Sequence, residues 1–273
     1  MDGGILCERI ESLDDQRLDI YRSLKTLNAA RDARLFVAEG TTVVERLVRS
    51  DFELRSILIS DRKWQTFADR LPPGIPVYRL THELAQQLVG FSFHCGVVAC
   101  AVRRPPLTLQ QFCQHLNQTT DPVLLLVGDR VVDPENVGSL IRIASAFGAR
   151  AVLLGPGCAD PFSRRVLRVS MGNVLFLPVV EVQDLSAALT VLQRDARIQV
   201  CATALRADAV PLQQTEFSSR TALLLGNEYD GISDECLQNA AQCVIIPMDN
   251  ETDSLNVSVA AAVCAYEYRR QHR

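Results

Sequence analysis

The sequence predicts an α/β protein with two domains, and three observations support this. Short runs rich in Val, Leu and Ile recur along the 273 residues, and polar segments with helical spacing separate most of them. A pair of prolines, Pro105 and Pro106, interrupts the series once. Hydrophobic residues make up 48% of the chain, which is enough apolar material for two modest cores.

The first series of elements lies before residue 103. Residues 35–40 form an apolar run that Gly40 stops, and Thr42 with Glu45 matches the capping box that opens a helix. Further strands are predicted at 56–60, 77–80 and 95–102, with a polar helical segment after the first and another at 81–90. Four strands and three helices therefore predict a small α/β domain.

The boundary between the domains is placed at 103–106. The two prolines there remove backbone donors and favour extended structure. We divide the chain into an N-terminal extension at 1–20, a small domain at 21–104, a linker with a short helix at 105–120 and a larger domain at 121–273.

The second series of elements predicts a parallel sheet. Its strands are the apolar runs 123–129, 151–155, 174–180, 198–205, 221–226 and 243–248. Runs of Val, Leu and Ile without alternation, spaced by helices, indicate a parallel sheet with helices on both faces. Ligands of such sheets bind in loops that leave the carboxyl ends of strands. We therefore expect the chemistry in the loops after residues 129, 205, 226 and 248.

Composition and charge restrict the class of protein. The nine cysteines have no C-x-x-C pair and no metal-ligand spacing, so we interpret them as reduced thiols and predict no metal site. The chain has neither a signal-peptide pattern nor an apolar run of membrane-spanning length, so we expect a soluble, cytoplasmic protein. The net charge of −4, divided as +1 over 1–105 and −5 over 121–273, restricts any contact with nucleic acid to local patches.

One glycine-rich turn is similar to the start of a dinucleotide-binding sequence. Gly155-Pro156-Gly157 follows a predicted strand, but Asp160 stands where the third glycine is needed and Pro156 stiffens the turn. We therefore set aside a nicotinamide-dependent oxidoreductase.

The helix predicted after residues 123–129 carries two candidate site residues, Asn136 and Arg142. Its apolar positions fall on one stripe, namely Val137, Leu140, Ile141, Ala144 and Phe147. Arg142 lies on the opposite side of the helix, where it can project toward a cleft or into water. Asn136 can equally be an ordinary turn or cap residue, so the spacing alone leaves both interpretations open.

Two further loops place polar clusters at predicted strand ends. Residues 225–231 read LGNEYDG, and residues 246–258 read IPMDNETDSLNVS before an apolar helix. A helix N-cap is the ordinary role for Ser254, and Asp253 could also fill it. Asn256 could be a satisfied polar residue of the first turn.

Together, and in this order, the three segments resemble the motifs of the SpoU (TrmH-like) branch of the SPOUT methyltransferases, over residues 121–273. Asn136 and Arg142 match the first motif, Gly226-Asn227-Glu228 the second, and Ile246-Pro247-Met248 with residues 254–258 the third. The front domain, with FVAEG and Val43-Val44-Glu45 before a helix, resembles the L30e-like substrate-binding domain that many of these enzymes carry.

The resemblance implies an S-adenosylmethionine-dependent RNA methyltransferase that modifies a ribose 2′-hydroxyl. The front domain favours ribosomal RNA as the substrate, with transfer RNA as the alternative. It also implies a deep trefoil knot in the C-terminal fold and a homodimer whose sites lie at the interface. The implied catalytic residues are Arg142, Asn136, Ser254, Asn256 and Glu228. The implied cofactor-binding residues are Thr203, Leu225, Gly226, Asn227, Ile246, Met248 and Leu255.

The resemblance assigns a catalytic role to Arg142. A guanidinium is a poor base because it stays protonated in nearly any environment. We therefore expect Arg142 to clamp the RNA phosphate and the developing alkoxide, while that phosphate or water assists in removing the proton. The chemistry needs no metal, because the methyl donor is already activated.

Two features concern the approach of RNA. Arg164, Arg165 and Arg168 lie on about one helical face, which predicts contact with RNA phosphates or a solvated helix surface. The loop 249–253 has no glycine near position 250 and carries three acids, which disfavour a nearby phosphate. A catalytically silent RNA-binding scaffold is the alternative to an enzyme, and calorimetry with S-adenosylmethionine separates the two.

Overall fold

The computed structural model describes residues 6–22, 34–89, 93–250 and 254–272. The strands are β1 Leu6–Arg9, β2 Leu35–Glu39, β3 Leu54–Ser60, β4 Pro76–Leu80, β5 Val97–Val102, β6 Val123–Gly128, β7 Ala151–Leu154, β8 Val179–Glu181, β9 Gln199–Thr203, β10 Val210–Pro211, β11 Arg220–Leu225 and β12 Gln242–Ile245. The helices are α1 Asp19–Arg22, α2 Thr41–Val48, α3 Asp61–Phe67, α4 His82–Val89, α5 Leu109–Asn117, α6 Pro134–Ala146, α7 Arg164–Val169, α8 Leu185–Ala196, α9 Asp234–Leu237 and α10 Val257–Gln271. No helix within the described ranges is both long enough and apolar enough to cross a membrane.

The chain forms two compact units. Unit 1 comprises Met1–Pro105 and Phe162–Phe176, and unit 2 comprises Pro106–Pro161 and Leu177–Arg273. The division after residue 105 falls between the two prolines, where the backbone lacks two consecutive donors.

Unit 1 contains a five-stranded mixed sheet with the order β1-β4-β3-β5-β2. Strands β1, β4 and β3 are parallel, whereas β5 runs antiparallel to both β3 and β2. The central strands are apolar because both faces are covered, and Ile57, Leu58 and Ile59 are fully buried. The likeness of this unit to the L30e fold stays a prediction.

The four strands predicted before residue 103 are present, but the predicted capping box at Thr42 and Glu45 is wrong. Helix α2 already begins at Thr41, and its N-cap is Gly40, which makes no side-chain cap. Gly40 has a φ of 97°, which a glycine adopts without strain and which turns the chain directly from β2 into the helix.

The segment Phe162–Phe176 belongs to unit 1, although it follows β7 in the chain. The ring of Phe162 packs against Phe36, with 5.1 Å between the ring centroids. The guanidinium of Arg46 donates to the carbonyl oxygen of Met171 at 2.6 Å. Aromatic packing and a charge-assisted hydrogen bond thus hold the segment against β2 and α2.

Two features of this segment differ from the sequence interpretation. Sequence order assigned it to the domain 121–273, whereas its contacts place it in unit 1. The strand predicted at 174–180 is largely wrong, because Asn173–Leu175 forms a 3-10 turn and β8 starts at Val179. Val174 and Leu175 are buried, so their apolar character reflects packing rather than a strand.

Unit 2 contains a seven-stranded sheet with the order β10-β12-β9-β11-β6-β7-β8. All its pairs are parallel, which confirms the predicted parallel α/β sheet. Parallel strands need crossover connections, and helices α6 and α8 are two of them. The predicted trefoil knot stays a prediction.

The register of this sheet brings several strand ends to one edge. Gly128 at the end of β6 is opposite Leu225 at the end of β11. Thr203 at the end of β9 is opposite Val244, next to the last residue of β12. The loops after β6, β9, β11 and β12 therefore leave the sheet as neighbours, as expected for a ligand-binding edge.

Candidate active site at the carboxyl edge of the parallel sheet

Helix α6 positions the first site residue, Asn136. Asp133 is the N-cap and accepts a hydrogen bond from the backbone N–H of Glu135 at 2.8 Å, while Pro134 occupies the first helical position. Asn136 is therefore the third residue of the helix, and it is only 7% exposed. A buried amide needs hydrogen-bond partners, and these come from distant segments.

A chain of hydrogen bonds joins three separate loops through Asn136. Its Nδ2 donates to the Oε1 of Glu228 in the loop after β11. Its Oδ1 accepts from the Nδ2 of Asn256 at 3.0 Å, and the Oδ1 of Asn256 accepts from the backbone N–H of Ser258 at 2.9 Å. The structure therefore brings together one residue from each of the three sequence segments.

The loop that carries Glu228 is closed on itself. Asn227 and Gly231 exchange two backbone hydrogen bonds, of 2.9 and 3.0 Å. The Nδ2 of Asn227 donates to the carbonyl oxygen of Arg130 at 2.8 Å. A Cβ atom at Gly226 would lie 2.3 Å from the carbonyl carbon of Gly231, so the loop requires glycine there.

Sequence reasoning did not single out Asp129 as a residue of this edge. Its carboxylate is 3% exposed and accepts a hydrogen bond from the backbone N–H of Ser233 at 2.7 Å. The Nε of Arg130 lies 3.5 Å from the same carboxylate. Asp129 thus ties the end of β6 to the start of α9. An acidic residue directly after an apolar parallel strand was the signal that could have revealed it.

The residues predicted to hold the cofactor lie at this edge. Leu225 ends β11, Thr203 ends β9, and Ile246 and Met248 follow β12. The hydroxyl of Thr203 donates to the carbonyl oxygen of Leu224 at 3.1 Å, so that hydroxyl supports the sheet. The side chain of Leu225 is fully buried, so only its backbone can face a ligand, whereas Ile246 and Met248 are partly exposed. Partly exposed apolar side chains beside strand-end backbone suit a nucleoside, which needs apolar contact and a few polar groups.

Arg142 is not part of the hydrogen-bonded chain. It is exposed, as the helical stripe predicted, whereas Val137, Leu140, Ile141 and Ala144 are fully buried. Six residues separate it from Asn136, which amounts to about 9 Å along the helix axis. Within the described part of the chain, no hydrogen bond or ion pair involves its guanidinium.

The third segment differs in detail from the ordinary interpretation. The N-cap of α10 is Asn256 rather than Ser254, which is exposed, as Leu255 is. Asn250 has a φ of 59°, the left-handed region in which glycine and asparagine are favoured. Residues 251–253, with two of the three acids, lie outside the described residues.

The three predicted RNA-binding arginines lie on α7 in unit 1. Arg164 is half-buried and pairs with the buried carboxylate of Glu39, with 3.2 Å between Nη2 and Oε2. Burial lowers the pKa of the Arg164 guanidinium, and the charge of Glu39 opposes this effect. Arg165 and Arg168 are exposed. Arg164 therefore differs from Arg165 and Arg168, because its guanidinium is partly buried and pairs inside unit 1.

The glycine-rich turn at Gly155 contributes to packing. Its backbone N–H donates to the carbonyl oxygen of Gly128 at 2.9 Å, and a Cβ atom there would lie 2.9 Å from the side chain of Leu185. Close approach of α8 to the strand ends therefore explains the first glycine.

Comparison with known proteins identifies the family. Residues 123–266 match the model of the SpoU rRNA Methylase family. The chain is 35% identical over 265 residues to an uncharacterized tRNA/rRNA methyltransferase of Mycobacterium bovis, covering 94% of this chain and 90% of that protein. It is 31% identical over 265 residues to the 23S rRNA (guanosine(2553)-2′-O)-methyltransferase RlmP of Bacillus subtilis, covering 96% and 99%. The S-adenosylmethionine-bound rRNA methyltransferase of Sinorhizobium meliloti superposes with a TM-score of 0.82, at 26% identity, covering 97% and 98%.

The parallel sheet and its strand-end loops thus define an RNA methyltransferase of the SPOUT class. The chain belongs to the SpoU rRNA Methylase family. This confirms the predicted family, the predicted activity of an RNA ribose 2′-O-methyltransferase, and S-adenosylmethionine as the methyl donor.

Proposed function

We propose that this protein methylates a ribose 2′-hydroxyl of ribosomal RNA, in the cytoplasm where that RNA is assembled. The observation that carries the proposal is the hydrogen-bonded chain from Glu228 through Asn136 to Asn256. It fixes three polar side chains at the carboxyl edge of the parallel sheet. The name of the Bacillus subtilis relative supports 23S rRNA as the substrate class, with transfer RNA as the alternative.

The cofactor, when bound, supplies a methyl group on a positively charged sulfur, which is already an activated electrophile. We assign its binding to backbone and apolar groups at 225–227 and 246–248 and to Leu255, with Thr203 supporting the sheet beneath. The remaining work for the protein is to orient the ribose hydroxyl and to stabilise the negative charge that develops on its oxygen.

The residues of the hydrogen-bonded chain suit an orienting role. Glu228 accepts from Asn136, so the amide of Asn136 is held in one orientation and in turn holds Asn256. Ser254 is exposed two residues before Asn256 and is assigned to contact with the RNA. The guanidinium of Arg142 makes no hydrogen bond or ion pair with the described residues, and its planar set of donors suits a phosphate and a developing alkoxide.

We propose that the active form is a homodimer built on one face of unit 2. Helix α10 exposes Val259 (47%), Val263 (37%) and Tyr266 (57%), which are spaced along one side of the helix. Tyr266 also contacts Phe147 at the end of α6, with ring centroids 6.5 Å apart. A contiguous apolar face of this kind is typical of a subunit interface. Helix α6, which carries Arg142, packs against α10, and this fits sites near the interface.

We assign contact with RNA phosphates to Arg165 and Arg168. Both are exposed on α7, whereas Arg164 is half-buried beside Glu39. Unit 1 then contributes to the affinity for RNA through charge, and this contribution falls as the salt concentration rises.

The central test of the activity is Arg142→Ala. We expect methylation of ribosomal RNA to fall by at least roughly 10²–10³-fold, because a positioned charge at the reacting oxygen is lost. Binding of S-adenosylmethionine, measured by calorimetry, should be unchanged. Arg142→Lys is the matched control and should recover only part of the activity, since a lysine cannot form the two-pronged contact.

The substrate class has its own test. Mass mapping of 2′-O-methyl groups in RNA from a deletion strain and its parent should reveal one position lost from ribosomal RNA. Loss from a transfer RNA instead would favour the alternative. An unchanged map in both RNA classes, together with no transfer by the purified protein, would contradict the proposal as a whole.

A further inference from the structure

Tyr229 is a large aromatic side chain that the site described above does not use. It is 92% exposed, although aromatic side chains usually bury much of their surface. It directly follows Glu228, whose carboxylate is part of the hydrogen-bonded chain of the site. An aromatic ring therefore stands in solvent beside the groups that face the substrate.

The loop holds Tyr229 in a fixed backbone conformation. The Oδ1 of Asn227 accepts hydrogen bonds from the backbone N–H groups of Tyr229, at 2.8 Å, and Asp230, at 3.1 Å. The paired backbone of Asn227 and Gly231 closes the loop beneath them. Since the backbone is already ordered, contact between a ligand and the ring costs little conformational entropy in the loop.

The charges around the ring indicate which part of an RNA it contacts. Tyr229 lies between two acidic residues, Glu228 and Asp230. Asp230 is paired with Arg130 at 3.6 Å and remains largely exposed. Carboxylates repel phosphate, so this loop does not suit the RNA backbone. The flat, uncharged face of a nucleobase fits it, because aromatic side chains bind unpaired bases by stacking.

We propose that Tyr229 stacks on a nucleobase of the bound RNA, next to the ribose that is methylated. This inference rests on the proposed function and adds a substrate-binding residue to it. Stacking on the ring of Tyr229 requires a base that is unpaired and splayed out. The RNA segment at the site is therefore single-stranded or locally opened.

The test compares Tyr229→Ala and Tyr229→Phe with the unchanged protein. For Tyr229→Ala we expect the KM and the Kd for substrate RNA to rise roughly 5- to 150-fold, the range that loss of one stacked base produces. Tyr229→Phe keeps the ring and should stay within about twofold of the unchanged protein. The Kd for S-adenosylmethionine should be the same in all three.

A further measurement separates stacking from charge. The slope of log Kd against log salt should be the same for Tyr229→Ala and the unchanged protein, because both neutralise the same phosphates. The proposal is overturned if Tyr229→Ala binds and methylates RNA as the unchanged protein does. It is equally overturned if the variant changes its oligomeric state, since the ring would then contact a second copy of the chain. Failure of the proposed function is a separate outcome, in which the unchanged protein methylates no RNA.

Discussion

The side-chain amide of Asn136 has one hydrogen-bonding orientation open to it. Its nitrogen faces the Glu228 carboxylate, which can only accept, and its oxygen faces the amide nitrogen of Asn256, which can only donate. Rotating the amide by half a turn would place oxygen against carboxylate and nitrogen against nitrogen. The contact with Glu228 therefore sets the direction of the whole chain, including the cap of α10.

Substitutions at Asn256 distinguish its role as the N-cap of α10 from its role as the hydrogen-bond donor to Asn136. Asn256→Asp keeps an oxygen that caps the Ser258 N–H but cannot donate to Asn136, so the Oδ1 of Asn136 loses its partner. We expect kcat to fall, because the amide of Asn136 is no longer held in one orientation. The free energy of unfolding should also fall by about 1–3 kcal/mol, the cost of leaving a buried polar group without a partner. Asn256→Ala should lose activity to the same extent and about 1 kcal/mol more of stability, because the cap of α10 is removed as well. Full activity of the aspartate variant would contradict the orienting role.

At the scale of elements, the loop between β11 and α9 depends on a close approach of two backbones. Gly226 lies against Gly231, and Asp129 fixes the far end of the loop through the N–H of Ser233. Strand, loop and helix start thus form one rigid element. Rigid support from outside the reacting groups is what an active-site loop needs in order to hold its geometry.

Alanine substitutions at the two glycines test this element. For Gly226→Ala we expect a loss of at least about 1–3 kcal/mol in the free energy of unfolding, because its Cβ would collide with backbone that cannot move aside. Gly231→Ala is the control: its Cβ meets open space, and only the left-handed φ of 69° costs it about 1 kcal/mol. Chemical denaturation measures both values. Equal losses in the two variants would exclude the collision as the cause.

Helix α7 carries a prediction about RNA affinity. Reversing the charges in Arg165→Glu/Arg168→Glu should weaken binding to RNA and lower the salt slope by about one unit for each phosphate that is no longer neutralised. Filter binding at several salt concentrations measures both quantities. Arg62→Glu/Arg70→Glu changes two exposed arginines of unit 1, alters the net charge by the same amount and serves as the control. An unchanged slope in the double variant would remove α7 from the RNA-binding surface.

At the scale of the whole molecule, the apolar face of unit 2 is the feature with the largest consequence. Helices α6 and α10 pack against each other, and Val259, Val263 and Tyr266 remain exposed on α10. A second copy of the chain would remove this surface from water. The hydrophobic effect then links assembly to the site, because α6, which carries Arg142, packs against α10.

Val263→Glu tests the proposed homodimer. A carboxylate buried in an apolar interface costs far more than the methyl groups it replaces contribute, so we expect a monomer in light scattering with a sharp loss of methylation. Thr42→Glu is the matched control, because it adds the same charge at an exposed position of unit 1 and should leave the mass unchanged. A dimer that persists in Val263→Glu would place the interface elsewhere.

The sequence by itself determined the two-part α/β organisation, the parallel sheet and the family. These follow from local patterns, since burial on both faces of a sheet leaves apolar runs and the three motifs are short and ordered. It also indicated Asn136, Glu228 and Asn256, together with the exposed position of Arg142 opposite the buried stripe of α6.

Only the tertiary structure decided which of these groups meet. Ninety-two residues separate Asn136 from Glu228 and 120 separate it from Asn256, so no local pattern reveals that their amides and carboxylate form one chain. Local patterns likewise did not reveal that Arg164 pairs with Glu39, which lies on a strand distant in the sequence. They also did not reveal that the apolar run at 174–180 is mostly not a strand. The periodicity of a sequence indicates that a side chain is buried. It does not indicate the packing partner, because that partner depends on how the whole chain folds.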